Sequence, residues 1–143
     1  MTLYLLDTNT VSYILKGQSP AARARLDRLR IHKGQEAGIS TITAGEILYG
    51  LEKIGAGAQR RKAVDLFFAT IALYPWDQAA AEAYGRLRVR REARGRPLGA
   101  YDLQIAAHAL ALGAVLVTHD AAFRHVTGLA GLEDWASDLG TGR

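Results

Sequence analysis

The sequence predicts an α/β fold: one domain, an α/β/α sandwich whose central parallel sheet has four to five short strands. Three observations lead there. Four short, almost wholly apolar runs recur at residues 3–6, 37–40, 70–74 and 114–118, the pattern of strands buried on both faces rather than half-exposed ones. Each run is separated from the next by residues with helical apolar spacing, as a parallel sheet with crossover helices requires. The chain is 143 residues long and 49% hydrophobic, enough to bury one substantial core without metals or disulfides. No repeat, linker or low-complexity stretch divides it, so residues 1–143 are expected to form one unit with a loose tail from about residue 136.

The first run, LYLL, ends abruptly in Asp7. An unpaired buried carboxylate costs several kcal/mol, so Asp7 must reach solvent, hold a partner or carry a proton. After it, Val11, Ile14 and Leu15 recur at helical spacing until Lys16-Gly17, where glycine can end a helix. Ser19-Pro20 opens a second helix, running to about Leu29. The second strand, 37–40, leads into a helix over 41–54 with Ile47, Leu48, Leu51 and Ile54 on one stripe. Gly55 and Gly57 interrupt before a helix over 58–69, and the third strand follows at 70–74. Asp77 is placed to cap a long helix reaching Arg94, which Gly95-Arg96-Pro97 ends. Another helix opens at Asp102 and closes at Gly113, and the fourth strand follows. GLEDW, within 129–139, adds a short edge strand.

Charge and composition narrow the function. The net charge is +4, from fourteen arginines and four lysines against fourteen acids, a balance that favours polyanionic partners. The absence of cysteine removes disulfide frameworks and thiolate zinc sites and suits a reducing compartment. MTLYLLD lacks a basic leader and meets an acid too early for a signal peptide, and no apolar run approaches the ~20 residues of a membrane span. A soluble cytoplasmic protein is the expectation.

The acids stand where an open α/β sheet binds ligands, beyond the carboxyl ends of its strands. Asp7 follows the first strand, Asp120 follows the fourth, Glu46 lies early in the helix after the second strand, and Asp102 opens the helix feeding the fourth. With the first and fourth strands adjacent, all four converge on one rim. Singly, each has a plain structural role: Asp7, Asp102 and Asp120 as helix caps, Glu46 as a surface acid. Jointly they repel unless a cation sits among them, and an all-oxygen set without cysteine or clustered histidine suits Mg²⁺ or Mn²⁺ rather than zinc. Thr8, Asn9 and Thr118 would add neutral oxygens.

LLDTNTVSYILKG, ISTITAGEILYG, PLGAYDLQIAAHALALGAVLVTHDAAF and GLEDW, in that order, resemble the PIN-domain ribonucleases of the VapC toxin group over residues 3–135. The resemblance implies a PIN-like fold and the toxin component of a type II toxin-antitoxin system. The implied activity is a Mg²⁺-dependent endoribonuclease, with Mn²⁺ able to substitute, leaving 5′-phosphate and 3′-hydroxyl ends. Carried over by position, the catalytic acids are Asp7, Glu46, Asp102 and Asp120. Of these, Asp7, Asp102 and Asp120 hold metal, Glu46 orients or deprotonates water, and Asn9 and Thr118 support. The group varies at the position of Asp120, some members having Asn there. His119 beside it has no role in the resemblance and reads as structural. Implied partners are a VapB-like antitoxin, an RNA substrate such as tRNA, and a second copy of the chain as homodimer. Val11, Tyr13, Ile14, Leu48, Tyr49 and Leu51 could line such surfaces or form core.

Six arginines fall between 86 and 96, with Arg86, Arg90 and Arg94 at i, i+4 and i+8 on one helix face. Arg90, Arg94 and Arg96 are candidate RNA-phosphate contacts; the alternative is a solvated face whose stems cover apolar surface. Two other functions stay open. A haloacid-dehalogenase-like phosphohydrolase would use Asp7 as nucleophile, though Asn9 stands where such enzymes usually carry a second acid. A catalytically silent PIN module would bind RNA or protein without turnover.

Overall fold

Residues 1–95 and 98–140 are described by the computed structural model of the chain. Five parallel strands, β1 (Thr2–Leu6), β2 (Gln35–Ser40), β3 (Ala72–Tyr74), β4 (Val115–Val117) and β5 (Gly131–Glu133), form one sheet in the order β3-β2-β1-β4-β5. The chain builds outward from β1 to β3, then returns to lay β4 against the other side of β1. That reversal is the switch point at which open α/β sheets bind ligands.

Alternation along the strands feeds two cores. Tyr4, Leu6, Ile39 and Val117 pack against α1 (Thr8–Leu15), α2 (Pro20–Leu29), α3 (Thr41–Lys53) and α4 (Ala58–Thr70). Leu5 and Leu116 turn to the opposite face, against α5 (Gln78–Ala93), α6 (Ala100–Leu112) and the 3-10 turn at Ala121–His125. Leu5, Leu6 and Leu116 are fully buried, each contributing about 2–3 kcal/mol of transfer free energy. This double burial explains why β1 and β4 read as unbroken apolar runs.

Helix ends follow the local chemistry. Ser19 caps α2 through Ala22 N–H, and Pro20 stands at its first position. Asp77 caps α5 through Ala80 N–H. Gly113 closes α6 at φ 64°, a left-handed conformation that favours glycine. Gly38 in β2 answers a different need, since a Cβ there would stand 2.6 Å from the Tyr74 ring that lies across it.

Several expectations change. Thr70 belongs to α4, where its hydroxyl donates to Phe67 carbonyl oxygen, and the third strand shortens to Ala72–Tyr74. The α3 stripe splits: Ile47 and Leu51 are buried, whereas Leu48 and Ile54 are 46% and 58% exposed. Leu48 lies about 100° round the helix from Ile47, and Ile54 stands beyond the last helical residue. Val11, Ile14 and Leu51 are core, and only Leu48 and Tyr49 of the same set are strongly exposed. Asp102 does not cap α6; Gly99 holds that position and Asp102 is the third residue of the helix. Where a loose tail is expected, residues 137–139 form a 3-10 turn, and Asp138 accepts hydrogen bonds from Ser19 Oγ (2.6 Å) and Ala21 N–H (3.1 Å). Among the described residues, no helix is long and apolar enough to cross a membrane.

Candidate active site

Asp7 stands at the switch point. Its backbone N–H donates to Val117 carbonyl oxygen at 3.0 Å, which continues the β1–β4 pairing one residue past the strand. Its side chain turns back as the cap of α1, accepting Thr10 N–H at 2.9 Å. The carboxylate is 2% exposed. Burial pushes it above the usual range, hydrogen bonds from Thr118 and Thr10 pull the other way, and the charge of Asp120 pushes it up further. Asp7 is thus held locally by a helix cap and a threonine, yet its charge is still poorly stabilised.

Asp102 is half-buried on the first turn of α6, and no hydrogen bond reaches its carboxylate among the described residues. Its pKa is pushed up to about 6, first by burial and then by the charges of Asp7, Asp120 and Glu46. Asp7, Glu46 and Asp120 therefore all act on Asp102 in the fold. Among the described residues, no basic side chain is among the causes of the Asp102 shift.

Glu46 is half-buried on α3 and is held by a polar relay. Thr8 Oγ1 donates to its Oε1 at 2.5 Å and lies 3.1 Å from Thr43 Oγ1. A hydroxyl carries one proton, so Thr43 supplies the proton of the second contact. Asp120, two residues past Thr118, accepts Ala122 N–H at 2.9 Å as cap of the 3-10 turn, and its own N–H donates to Thr118 Oγ1 at 3.1 Å. Thr118 is 4% exposed and hydrogen-bonds with both the Asp7 side chain and the Asp120 backbone. Asn9 is exposed and makes no side-chain hydrogen bond among the described residues; the geometry does not tie it to the acids.

The donor set is carboxylate oxygen, suited to a hard divalent cation. Among the described residues, no three His, Asp or Glu side chains already stand in ligating positions. The acids are close enough to raise one another's charge cost. With Asp102 and Asp120 partly exposed, the all-oxygen donor set fits such an ion. A groove of about 1320 Å³ runs past Glu46, lined also by Thr8, Leu15, Tyr49, Ile54 and Tyr101; Asp7, Asp102 and Asp120 are not part of its lining.

The arginine run divides. Arg91 is buried, and its guanidinium donates to His125 carbonyl oxygen at 2.5 Å. Arg88 is engaged along its own helix by Glu92 at 3.0 Å and Tyr84 at 3.1 Å. Arg86, Arg90 and Arg94 are exposed, and Arg96 lies outside the described residues.

A profile of the PIN domain matches residues 4–129. The chain belongs to the PIN-domain family. Within that family, the tRNA(fMet)-specific endonuclease VapC of Shigella flexneri is 32% identical over 137 residues, 95% of this chain and 100% of its own. Ribonuclease VapC1 of Haemophilus influenzae strain R2866 is 33% identical over 135 residues, 93% of this chain and 98% of its own. The crystal structure of VapBC2 from Rickettsia felis bound to a DNA fragment from their promoter superposes with a TM-score of 0.86 at 30% identity, covering 94% of this chain and 99% of that one. DNA-bound VapBC from Salmonella typhimurium gives 0.85 at 32% identity, with the same coverage.

Several residues near these acids carry no site role in the sequence reading. Thr43 was available from its i, i+3 relation to Glu46 on one helix. Thr10 caps onto Asp7 from three residues on. Tyr13 is pushed up in pKa by burial and then by Asp7, Asp120 and Asp134, which places it beside the acids. His119 is bound to Asp134, Nδ1 to Oδ2 at 2.9 Å. Asp134 follows β5 as Asp7 follows β1, a signal that lay in GLEDW.

Proposed function

We propose that this chain is the toxin half of a toxin-antitoxin pair and acts as a metal-dependent endoribonuclease. The observation that carries the reading is the convergence of Asp7, Glu46, Asp102 and Asp120 beyond the ends of β1 and β4, with Asp102 pushed up to about 6 partly by the other three. PIN-domain VapC nucleases generally depend on a divalent metal; Mg²⁺ is the ion proposed here, with Mn²⁺ as substitute. Such an ion supplies charge neutralisation at a scissile phosphate and acidifies a water.

The protein's own groups do the rest. Asp7, fixed by Thr10 and Thr118, offers the rigid carboxylate, and Asp102 and Asp120 complete the metal-holding set. Glu46 is oriented by Thr8 and accepts the proton of the attacking water. In-line attack on phosphorus leaves 5′-phosphate and 3′-hydroxyl ends, and the RNA 2′-hydroxyl takes no part. Exposed Arg90 and Arg94 meet substrate phosphates. By analogy with the Shigella flexneri relative, tRNA is the first substrate to try. The solved VapBC relatives support an antitoxin partner, and exposed Leu48 and Tyr49 on α3 offer apolar surface for it or for a second copy.

The test is cleavage of pooled cellular RNA by antitoxin-free protein with Mg²⁺ or Mn²⁺, beside EDTA and Asp7→Asn controls. Discrete cuts with 5′-phosphates, absent in both controls, support the reading. The same pattern from wild type and Asp7→Asn would refute it. Neither other reading is favoured: the phosphohydrolase lacks its second acid at Asn9, and a silent module has no need of four mutually repelling carboxylates.

A further inference from the structure

The two acid-bearing helices α3 and α6 are joined where neither carries an acid. Glu46 lies six residues past Ser40 and Asp102 six residues before His108, about 9 Å along each helix axis. Ser40 and His108 meet: His108 Nδ1 is 2.8 Å from Ser40 Oγ. Both are buried, at 0% and 1% exposure. Ser40 is also the cap of α3, accepting Ile42 N–H at 3.1 Å, so a bond to Ser40 is a bond to the start of the helix.

A second bridge runs alongside. Trp76, between β3 and α5, donates its backbone N–H to Thr41 Oγ1 at 3.1 Å and its indole Nε1–H to Gln104 carbonyl oxygen at 3.0 Å. Its ring is held edge-on by Tyr84 at 6.0 Å between centroids. Thr41 adjoins Ser40, and Gln104 is one turn before His108. Both bridges therefore tie the first turn of α3 to the same stretch of α6.

Apolar packing tolerates small sliding of helices, whereas directed hydrogen bonds at two points fix both rotation and translation. A buried imidazole is costly to hold in place of an aliphatic side chain unless its direction is used. We propose that Ser40–His108 and Thr41–Trp76–Gln104 form a two-point clamp that sets the separation of Glu46 and Asp102. His108 and Trp76 are then positioning residues for metal binding and catalysis at the rim. The inference rests on the metal-dependent reading of that rim. A rotation of about 10° at the clamp moves a carboxylate about 9 Å away by roughly 1.5 Å, and misplacement by 1 Å can cost about 10²-fold in rate.

The test measures Mn²⁺ affinity by calorimetry, and kcat and KM on a cleavable RNA, for wild type, His108→Ala, His108→Asn, Trp76→Phe and a distant core control, Leu26→Ala. His108→Ala is expected to weaken Mn²⁺ about tenfold and lower kcat about 10²-fold with KM within about threefold. Trp76→Phe keeps an aromatic ring and the backbone bond to Thr41, removes the indole N–H and gives a smaller loss of the same kind. His108→Asn, whose amide oxygen can take the place of Nδ1, recovers most of both. Leu26→Ala, comparably destabilised, keeps them. Wild-type Mn²⁺ affinity and kcat in both His108→Ala and Trp76→Phe would overturn the clamp, as would equal losses in Leu26→Ala. Should His108→Ala not fold, Trp76→Phe decides. If wild type binds Mn²⁺ but cleaves no RNA, the nuclease reading fails and the clamp is still judged on Mn²⁺ affinity; if wild type binds no Mn²⁺, both fall.

Discussion

Replacing Asp102 by Asn should make the metal-free protein more stable at pH 7.5 while removing its activity. Asp102 is pushed from 3.8 to about 6 by burial and by Asp7, Asp120 and Glu46. With a folded pKa above the unfolded one, the native state holds the proton more tightly between about pH 4 and 6. Stability is therefore greatest below that window, falls as pH rises through it, and is flat above. Two units correspond to a ceiling of about 3 kcal/mol; partial exposure and solvent screening reduce it to about 1–2 kcal/mol. Asn resembles the protonated acid, so Asp102→Asn removes the cost above pH 6 and changes little near pH 4. For a chain of this size, 1 kcal/mol is about 3 °C in Tm, giving a rise of roughly 3–6 °C. Thermal melts by circular dichroism in EDTA, at pH 7.5 and pH 4.5 and low salt, read this directly. Saturating Mn²⁺ should raise the wild type and narrow the gap. A variant no more stable than wild type at pH 7.5, or a gain equally large at pH 4.5, would refute the argument that burial and the neighbouring acids make the Asp102 charge costly.

Asp7→Asn should fold, since the amide oxygen can still accept Thr10 N–H, and should lose cleavage by at least about 10²-fold in a gel assay. Thr8→Val removes the hydroxyl that holds Glu46 and should lower kcat about tenfold with little change in KM on a defined RNA. Leu116→Ala empties a fully buried position between two layers and should cost about 2–5 kcal/mol in urea unfolding. Arg90→Ala with Arg94→Ala should reduce the salt dependence of RNA binding by a log-log slope of about 1.4, measured on the Asp7→Asn protein to prevent cleavage.

The positions of Asp7 and Asp120 were legible because a strand is short, has a two-residue period and ends where its apolar run ends. Glu46 and Asp102 followed from helical spacing and from the order of elements. Leu48 and Ile54 were not, because periodicity marks an apolar side without saying how wide an arc is covered. Nor could Arg91 be told from Arg90: one residue of rotation separates a buried guanidinium bound to His125 from an exposed one.

By itself, the sequence determined a parallel α/β sheet with four acids at its carboxyl edge, since these depend on contacts between near neighbours and on chain order. Tertiary structure alone decided which groups support those acids. Thr8 and Glu46 are 38 residues apart, and Ser40 and His108 are 68. A hydrogen bond needs a donor and an acceptor within about 3 Å, and no local pattern records which distant side chains folding will bring that close.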